Sequence, residues 1–188
     1  KQANPAIGDE ELLDRAVLGH AMMLTLRGVP VIYHGDEQGF ISDGNDQLAR
    51  EDMFPSKVAV YNDNKLIGTA ATTAQANFDT AHPLYQLIAE LAEVRKATPA
   101  LTFGRTVIRA FSDQPGLLAV SRFDPQTGRE VVLAYNTSTR PLSQTVAIEP
   151  ASMAFTALAG QCPVAANAPG SITITLPPLG FAVCAARG

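Results

Sequence analysis

The stretch that decides the fold joins the end of a helical pattern to an apolar run and a polar turn. Residues 24–37 read LTLRGVPVIYHGDE. Arg27 in the last helical turn and Gly28 just after it are typical of a helix C-terminus. The run 29–34 is mostly apolar and does not alternate, which favours a strand covered on both faces, as in a parallel sheet. We therefore expect a helix over 9–26, followed at once by a strand over 29–34.

The flanking segments extend this pattern to an α/β repeat unit. Acidic residues beginning at Asp9 favour the start of the first helix. Residues 35–80 show no clear periodicity, and a loop of that length inside a compact domain is usually functional. A second helix is predicted over 82–98, because Pro83 fits its first turn and apolar residues recur at helical spacing. Helix, strand, long loop and helix assign residues 1–100 to an α/β class.

Residues 101–188 have a different pattern, with short alternating strands separated by Gly, Pro, Asp and Asn. The predicted strands cover 106–111, 117–123, 130–136, 142–148, 153–157, 171–176 and 179–185. Seven strands at this spacing indicate an all-β domain, an antiparallel β-sandwich of Greek-key type. Its aromatic residues mostly fit inward strand positions: Phe111, Phe123, Tyr135, Phe155 and Phe181. We therefore expect no exposed aromatic platform for sugars on this domain.

The composition excludes several classes of partner. The chain is 46% hydrophobic and 17% charged, with a formal net charge of −4. It has no run of Lys or Arg that would neutralise phosphates, so neither nucleic acid nor an anionic membrane is an expected partner. No apolar stretch approaches the length of a bilayer span. Residues 1–5 lack the apolar segment of a signal peptide, although residue 1 need not be a natural start.

The two cysteines, Cys162 and Cys184, bear on the compartment. They could form one disulfide in an oxidising compartment or remain two buried thiols, and the sequence leaves both open. Cys184 is expected in the last strand, and Cys162 lies in a turn before the preceding strand. A loop returning beside the last strand would bring their Cα atoms within the separation of about 6 Å that a bridge needs. The compartment stays unknown, with a secreted or periplasmic location favoured over the cytoplasm.

These residues carry a family resemblance. Residues 24–37 resemble the eighth-strand motif GxPxxYxGDE of the α-amylase family of glycoside hydrolases. Residues 82–104, with Arg95-Lys96 and Pro99-Ala100-Leu101, are similar to that family's eighth barrel helix. Residues 118–123 and 131–136 are similar to the paired strands that open its C-terminal β-domain. The resemblance implies the last β/α unit of a TIM (β/α)8 barrel followed by that domain.

The resemblance also implies that the catalytic carboxylates lie upstream of this chain. The family uses an Asp nucleophile, a Glu acid/base and the Asp of an Asn-His-Asp motif, and no such motif occurs here. The chain would then be part of a retaining hydrolase, of α-amylase or α-glucosidase type, that cleaves α-glucosidic bonds in starch, maltodextrins or malto-oligosaccharides. The remainder of the barrel would be its partner. Alternatives are a transglycosylating relative (glucanotransferase, isomerase or sucrose-type phosphorylase) and a non-catalytic carbohydrate-binding or structural fragment.

Candidate substrate-binding residues follow the predicted strand, on the side where barrel enzymes place their catalytic loops. They are His34, Asp36, Glu37, Asp46 and Arg50. Adjacent side chains at a strand end point in opposite directions, so Asp36 and Glu37 would not flank one glycosidic bond. One of them is instead expected to cap a turn or to pair with a barrel arginine. The planar guanidinium of Arg50 could hold sugar hydroxyls, or be neutralised locally by Glu51 or Asp52.

The acidic segment 43–46 raises the question of calcium, because hard cations prefer clustered oxygen ligands. The EF-hand spacing fails, since no Gly stands at the sixth position and Phe54 stands at the twelfth. We therefore expect a solvated acidic turn, with no metal or other cofactor held by this chain. Among relatives some bind calcium, so the resemblance leaves calcium possible in the longer protein.

Overall fold

The computed structural model describes residues 7–42 and 44–187. Its helices are α1 (Asp9–Thr25), α2 (Ala59–Asn62), α3 (Pro83–Ala97) and α4 (Pro99–Phe103), with a 3-10 turn at Asp36–Gln38. Its strands are β1 (Arg105–Ala110), β2 (Leu117–Phe123), β3 (Glu130–Asn136), β4 (Leu142–Ala147), β5 (Phe155–Gly160), β6 (Ser171–Leu176) and β7 (Phe181–Ala186).

The chain divides into two compact units. One comprises Lys1–Val17 and Pro30–Glu90, and the other Leu18–Val29 and Leu91–Gly188. The division falls within α1 and α3, whereas the sequence predicts a domain boundary at residue 100. That boundary concerns a complete barrel and stays a prediction.

Both long helices are confirmed, and each ends within one residue of its predicted bounds. Three acidic residues fill the first turn of α1, where the partial positive charge of a helix N-terminus favours them. Arg95 and Lys96 lie in the last turn of α3, where the partial charge has the opposite sign. The intervening segment is irregular in its described part, apart from the 3-10 turn and the short α2. The helix–loop–helix part of the expectation therefore holds.

The strand predicted over 29–34 is wrong for this chain. Residues 29–33 lie in irregular backbone, with Val29 89% and Val31 73% exposed. A parallel strand is stable when neighbours pair along its edges and cover its faces. Every named strand in the described part of the chain lies between residues 105 and 186, in antiparallel pairs. The apolar run thus has no parallel partner here, and the barrel unit becomes a proposal.

The seven strands form the predicted antiparallel sandwich. One sheet has the order β1-β2-β3-β7-β5, and the other pairs β4 with β6. The strands after β3 alternate between the sheets, so β7 returns to lie between β3 and β5. Crossing connections of this kind are typical of Greek-key sandwiches. The two sheets share one hydrophobic core, to which Val132, Phe155, Ile172 and Ile174 contribute.

The strand β3 is buried along its whole length. Val132 and Ala134 face the core between the sheets. Because side chains alternate along a strand, Val131, Leu133 and Tyr135 face the other way, and they are buried as well. Helix α4 contacts β2 and β3, and the last residue of α1 bonds to Tyr135. Helical segments therefore cover the second face of the larger sheet.

A chain of hydrogen bonds ties α1 to β3. The Thr25 hydroxyl donates to the Ala21 carbonyl at 2.5 Å, so the Tyr135 hydroxyl, also 2.5 Å from Thr25 Oγ1, is the donor in that second contact. Burial raises the pKa of the Tyr135 phenol, while the nearby Arg122 charge acts in the opposite direction. The tyrosine is therefore held in its neutral form within the packed interior.

One aromatic residue departs from the inward pattern. Phe111 is 75% exposed, whereas Phe123, Tyr135 and Phe155 are buried as expected. The pairing of β1 with β2 shifts register between Ile108 and Ala110, and β1 ends before Phe111. A bulge reverses the alternation beyond it, which puts Phe111 on the outer side.

A disulfide joins Cys162 to Cys184, with their Cα atoms 5.7 Å apart. Cys184 lies fully buried in β7, and Cys162 packs against the same core from the segment after β5. The bond thus fixes an irregular segment to the central sheet. No helix in the described ranges is long and apolar enough to cross a membrane.

We expect Tyr135→Phe to cost about 1 kcal/mol at neutral pH, since one buried hydrogen bond is lost while Thr25 keeps its bond to Ala21. The raised folded-state pKa means that the folded protein holds the phenolic proton more tightly than the unfolded chain does. This contribution to stability is complete below pH ~10 and declines as the pH rises further. Melting temperatures measured across that range should fall more steeply for the wild type than for Tyr135→Phe. Equal slopes would contradict this, and Tyr85→Phe at a partly exposed tyrosine is the control.

We expect Cys162→Ala to lower the free energy of unfolding by about 2–4 kcal/mol, the usual effect of losing a disulfide that closes a loop of this size. A reducing agent should bring the wild type close to the melting temperature of Cys162→Ala and leave the variant unchanged. Calorimetric melting with and without reductant measures both effects. Two titratable thiols in denatured, unreduced protein isolated from an oxidising medium would show that the bond does not form.

Candidate functional site

Four of the five predicted site residues lie around one cleft. His34, Asp36, Asp46 and Arg50 line a depression of ≈ 590 Å³ together with Tyr33, Phe40 and Glu51. The fifth, Glu37, lines a neighbouring depression of ≈ 490 Å³ with Tyr33, His34 and Tyr85. Both lie within the unit that contains residues 30–90. The structure therefore gathers the predicted residues, although not all in one cavity.

Two glycines shape the turn at the base of the cleft. Gly35 has φ 94° and Gly39 has φ 72°, a region of backbone conformation that side chains with a Cβ rarely adopt. A Cβ on Gly39 would also lie 2.2 Å from the Ile67 carbonyl oxygen. The Ile67 amide donates to the Gly39 carbonyl at 2.7 Å, so the turn is fixed against a distant part of the same loop.

The adjacent carboxylates Asp36 and Glu37 build this turn. Asp36 accepts a hydrogen bond from the Tyr33 amide at 2.9 Å, and Glu37 accepts one from the Gly35 amide at 3.0 Å. The two side chains also face different depressions. This arrangement is that of turn-capping residues and does not resemble two carboxylates that flank a single bond.

His34 connects two segments that line the cleft. Its Nε2 lies 3.2 Å from the Glu51 carbonyl oxygen, and because a carbonyl only accepts, Nε2 carries the proton. Glu51 itself is 2% exposed. The imidazole thus attaches the turn after the apolar run to the segment that carries Arg50.

Arg50 forms an ion pair with Asp46, at 3.1 Å between Nη2 and Oδ2. The sequence left open whether Glu51 or Asp52 would neutralise Arg50 locally, and it did not indicate Asp46 as a partner, which the i,i+4 spacing brings to the guanidinium. Their side chains are 64% and 78% exposed, and such pairs contribute little to stability. The guanidinium therefore stays accessible to a ligand in the cleft.

Two polar residues that hold the long loop were not predicted. The Gln38 side chain donates to the Asp79 carbonyl at 3.0 Å and accepts from the Asp79 amide at 2.9 Å. His82 Nε2 donates to the Ile67 carbonyl at 2.9 Å, and its Nδ1 accepts from the Leu84 amide at 3.2 Å, which caps α3. The His-Pro start of the helix was a usable signal for the cap. Nothing in the sequence around Gln38 indicates its partner.

The acidic segment gives no cation site in the part that the structure describes. Asp43 lies outside the described residues. Asn45 accepts hydrogen bonds from the amides of Gln47 and Leu48, an ordinary turn of an Asn side chain. Within residues 7–42 and 44–187, no three His, Cys, Asp or Glu side chains are placed to hold a metal ion.

Comparison with models of known protein families gives no match. The whole chain is 43% identical, over 189 aligned positions, to an α-amylase from Streptomyces lividans. It spans 21% of that relative, about a fifth of its length.

Two of the solved structures that share the fold illustrate the match. One is CldA, described as the first cyclomaltodextrin glucanotransferase with a three-domain ABC distribution: the TM-score is 0.64 at 24% identity, over 93% of this chain and 33% of that one. The other is an Anoxybacillus α-amylase, with a TM-score of 0.66 at 19% identity, over 94% of this chain and 33% of that one.

Proposed function

Because this chain belongs to the α-amylase family and matches the C-terminal portion of its enzymes, we propose that it is part of a retaining α-glucan hydrolase. The observation that carries the proposal is the 43% identity to an α-amylase along the whole chain. The longer protein cleaves α-glucosidic bonds in starch or maltodextrins by double displacement, with its nucleophile and acid/base upstream of this chain.

We assign the cleft residues a supporting part in that reaction. Arg50 and Asp46 offer donors and acceptors to sugar hydroxyls from the exposed wall of the cleft. His34, Asp36 and Glu37 hold the turn in shape through their bonds to backbone groups. Val29 and Val31 are apolar and exposed. The rest of a (β/α)8 barrel, including its seventh strand, packs against them.

A transglycosylating enzyme is the second candidate, and the 36% identity to a cyclomaltodextrin glucanotransferase from a Bacillus species, over 53% of this chain and 10% of that relative, favours it. Hydrolysis and transfer share the glycosyl-enzyme intermediate and differ in the acceptor that attacks it. The residues that select water or sugar as acceptor need not lie in this fifth of the protein.

The decisive experiment compares the longer protein with this chain alone. We expect the longer protein to release shorter maltodextrins from maltoheptaose with retained α configuration, observed by NMR. The chain alone should show no turnover, because it lacks both catalytic carboxylates. Sugar transfer to maltose or sucrose in the product mixture would favour the second candidate. Inactivity of the longer protein, or turnover by this chain alone, would contradict the placement.

In the longer protein, we expect Arg50→Ala and Arg50→Lys to lower kcat/KM on maltoheptaose by about tenfold or more, because an ammonium does not reproduce a planar bidentate contact. Neither substitution should change the melting temperature noticeably, since the Asp46 pair is exposed. Arg15→Ala is the matched control, because Arg15 forms a similar i,i+4 pair with Glu11 away from the cleft. Unchanged kcat/KM in both Arg50 variants would remove this residue from the site.

A further inference from the structure

The guanidinium of Arg122 on β2 is buried with most of its donors unsatisfied. The residue has 0% exposure. Its Nη2 donates to the Gly104 carbonyl at 3.0 Å, while Nε and Nη1 have no hydrogen-bond partner within the described ranges. Both atoms are also shielded from solvent. A buried charge in this condition is strongly unfavourable, because neither water nor protein replaces its hydration.

The charges around Arg122 make its situation worse. Burial lowers the pKa of the Arg122 guanidinium, and the neighbouring cations Arg95 and Arg27 lower it further. Arg95 donates to the carbonyls of Leu24, Leu26 and Gly28, which supply no counter-charge. Among the ion pairs of the described residues, none joins a carboxylate to Arg27, Arg95 or Arg122. Three positive side chains thus share one region in which the described residues supply no ion-pair partner.

A cavity of ≈ 540 Å³ opens at this cluster, lined by Arg27, Arg105 and Arg122 and by the backbone turn at Gly104. All of these residues belong to the same compact unit. Arg105 is partly engaged by the Phe123 ring, 3.7 Å from its centroid, which leaves its charge in place. A space lined by three arginine residues, one of which has unsatisfied donors beneath the surface, has the chemistry of a receptor for oxygen anions.

We propose that this cavity binds an oxyanion, either a carboxylate or a phosphate-like group, that bridges Arg27 and Arg122. Binding requires the Arg122 side chain to turn toward the cavity, so that its unsatisfied nitrogens, which are now shielded from solvent, can donate to the anion. The anion also balances the charge of the cluster. Two sources supply this chemistry: a small anion from solution, or an Asp or Glu side chain from the part of the longer protein that lies outside this chain. The site is separate from the cleft around Arg50 and does not depend on the proposed activity.

The first test uses this chain alone and inorganic phosphate as the probe. Calorimetric titration at constant ionic strength should detect binding, and phosphate should raise the melting temperature where an equal ionic strength of NaCl does not. Arg122→Met keeps the buried volume and removes the donors, and Arg27→Gln removes an exposed charge without disturbing packing. Each should weaken phosphate binding by about tenfold or more, the effect of one charge-assisted hydrogen bond. Arg140→Gln, at an exposed arginine outside the cavity, is the matched control.

The unliganded variants give a second readout. Arg122→Met without phosphate should melt at or above the wild-type temperature, because an apolar side chain replaces an uncompensated charge. With saturating phosphate the order should reverse. A purely structural role of Arg122 predicts a lower melting temperature for the variant under both conditions.

The longer protein then distinguishes the sources. Phosphate binding by both proteins identifies a solution anion, whereas binding by this chain and not by the longer protein identifies an internal carboxylate. The proposal is overturned if this chain shows no phosphate binding, or if binding persists unchanged in Arg122→Met and Arg27→Gln.

Discussion

The guanidinium of Arg95 donates hydrogen bonds to the carbonyl groups at the end of α1. The arrangement of the β-containing unit, which comprises Leu18–Val29 and Leu91–Gly188, depends on this contact. A helix leaves its last carbonyl groups without internal partners, and buried carbonyls in that state are costly. Arg95 donates to three carbonyls over the stretch from Leu24 to Gly28, at positions that span the helix end and the residues after it. Burial lowers the pKa of this guanidinium, and its charge matches the partial negative charge of a helix C-terminus. The end of α1 is thereby fixed where Thr25 meets Tyr135, and the second face of the larger sheet is covered.

The sequence predicted the elements whose signals are local. The seven strands follow from alternation and turn residues, and both long helices follow from periodicity and their terminal residues. The strand predicted over 29–34 is absent for a physical reason. A non-alternating apolar segment becomes a strand through its neighbours, and the part of the chain that the structure describes contains no strand parallel to it. The prediction that Phe111 points inward is wrong because a bulge in β1 reverses the alternation of side chains. No residue type at that position indicates the bulge.

The site was predictable to the same extent. Barrel enzymes place their catalytic loops after their strands, so the family resemblance predicted that His34, Asp36, Asp46 and Arg50 would lie near one cleft. The hydrogen-bond partners of the residues that hold the loop and the helix end could not be predicted from the sequence. Gln38 meets the backbone of Asp79, and Arg95 meets carbonyls about 70 residues earlier in the chain, and such pairings depend on tertiary packing. Hydrogen bonds between a side chain and a distant backbone group produce no periodic pattern in the sequence.

The β-containing unit shows how this fold satisfies a buried charge when the counter-charge is within the chain. Arg109 Nη2 donates to Glu130 at 3.0 Å and to Glu149 at 2.8 Å, its Nε donates to Ser121, and Ser121 donates to Glu130. The Glu149 amide donates to the remaining Glu130 oxygen at 2.9 Å.

Every member of that network therefore has a partner, as a buried polar cluster requires. Ser121, the residue directly before Arg122 on β2, points to the opposite face of the strand and takes part in the network. Two adjacent positions of β2 thus bury polar side chains. Ser121 has hydrogen-bond partners within the network, whereas Arg122 keeps unsatisfied donors. The domain supplies acidic partners, Glu130 and Glu149, on the face of the sheet where Ser121 lies. The lack of acidic partners among the described residues on the face where Arg122 lies is therefore not a general property of this domain. It is a specific feature of the surface on which Arg27, Arg95 and Arg122 converge.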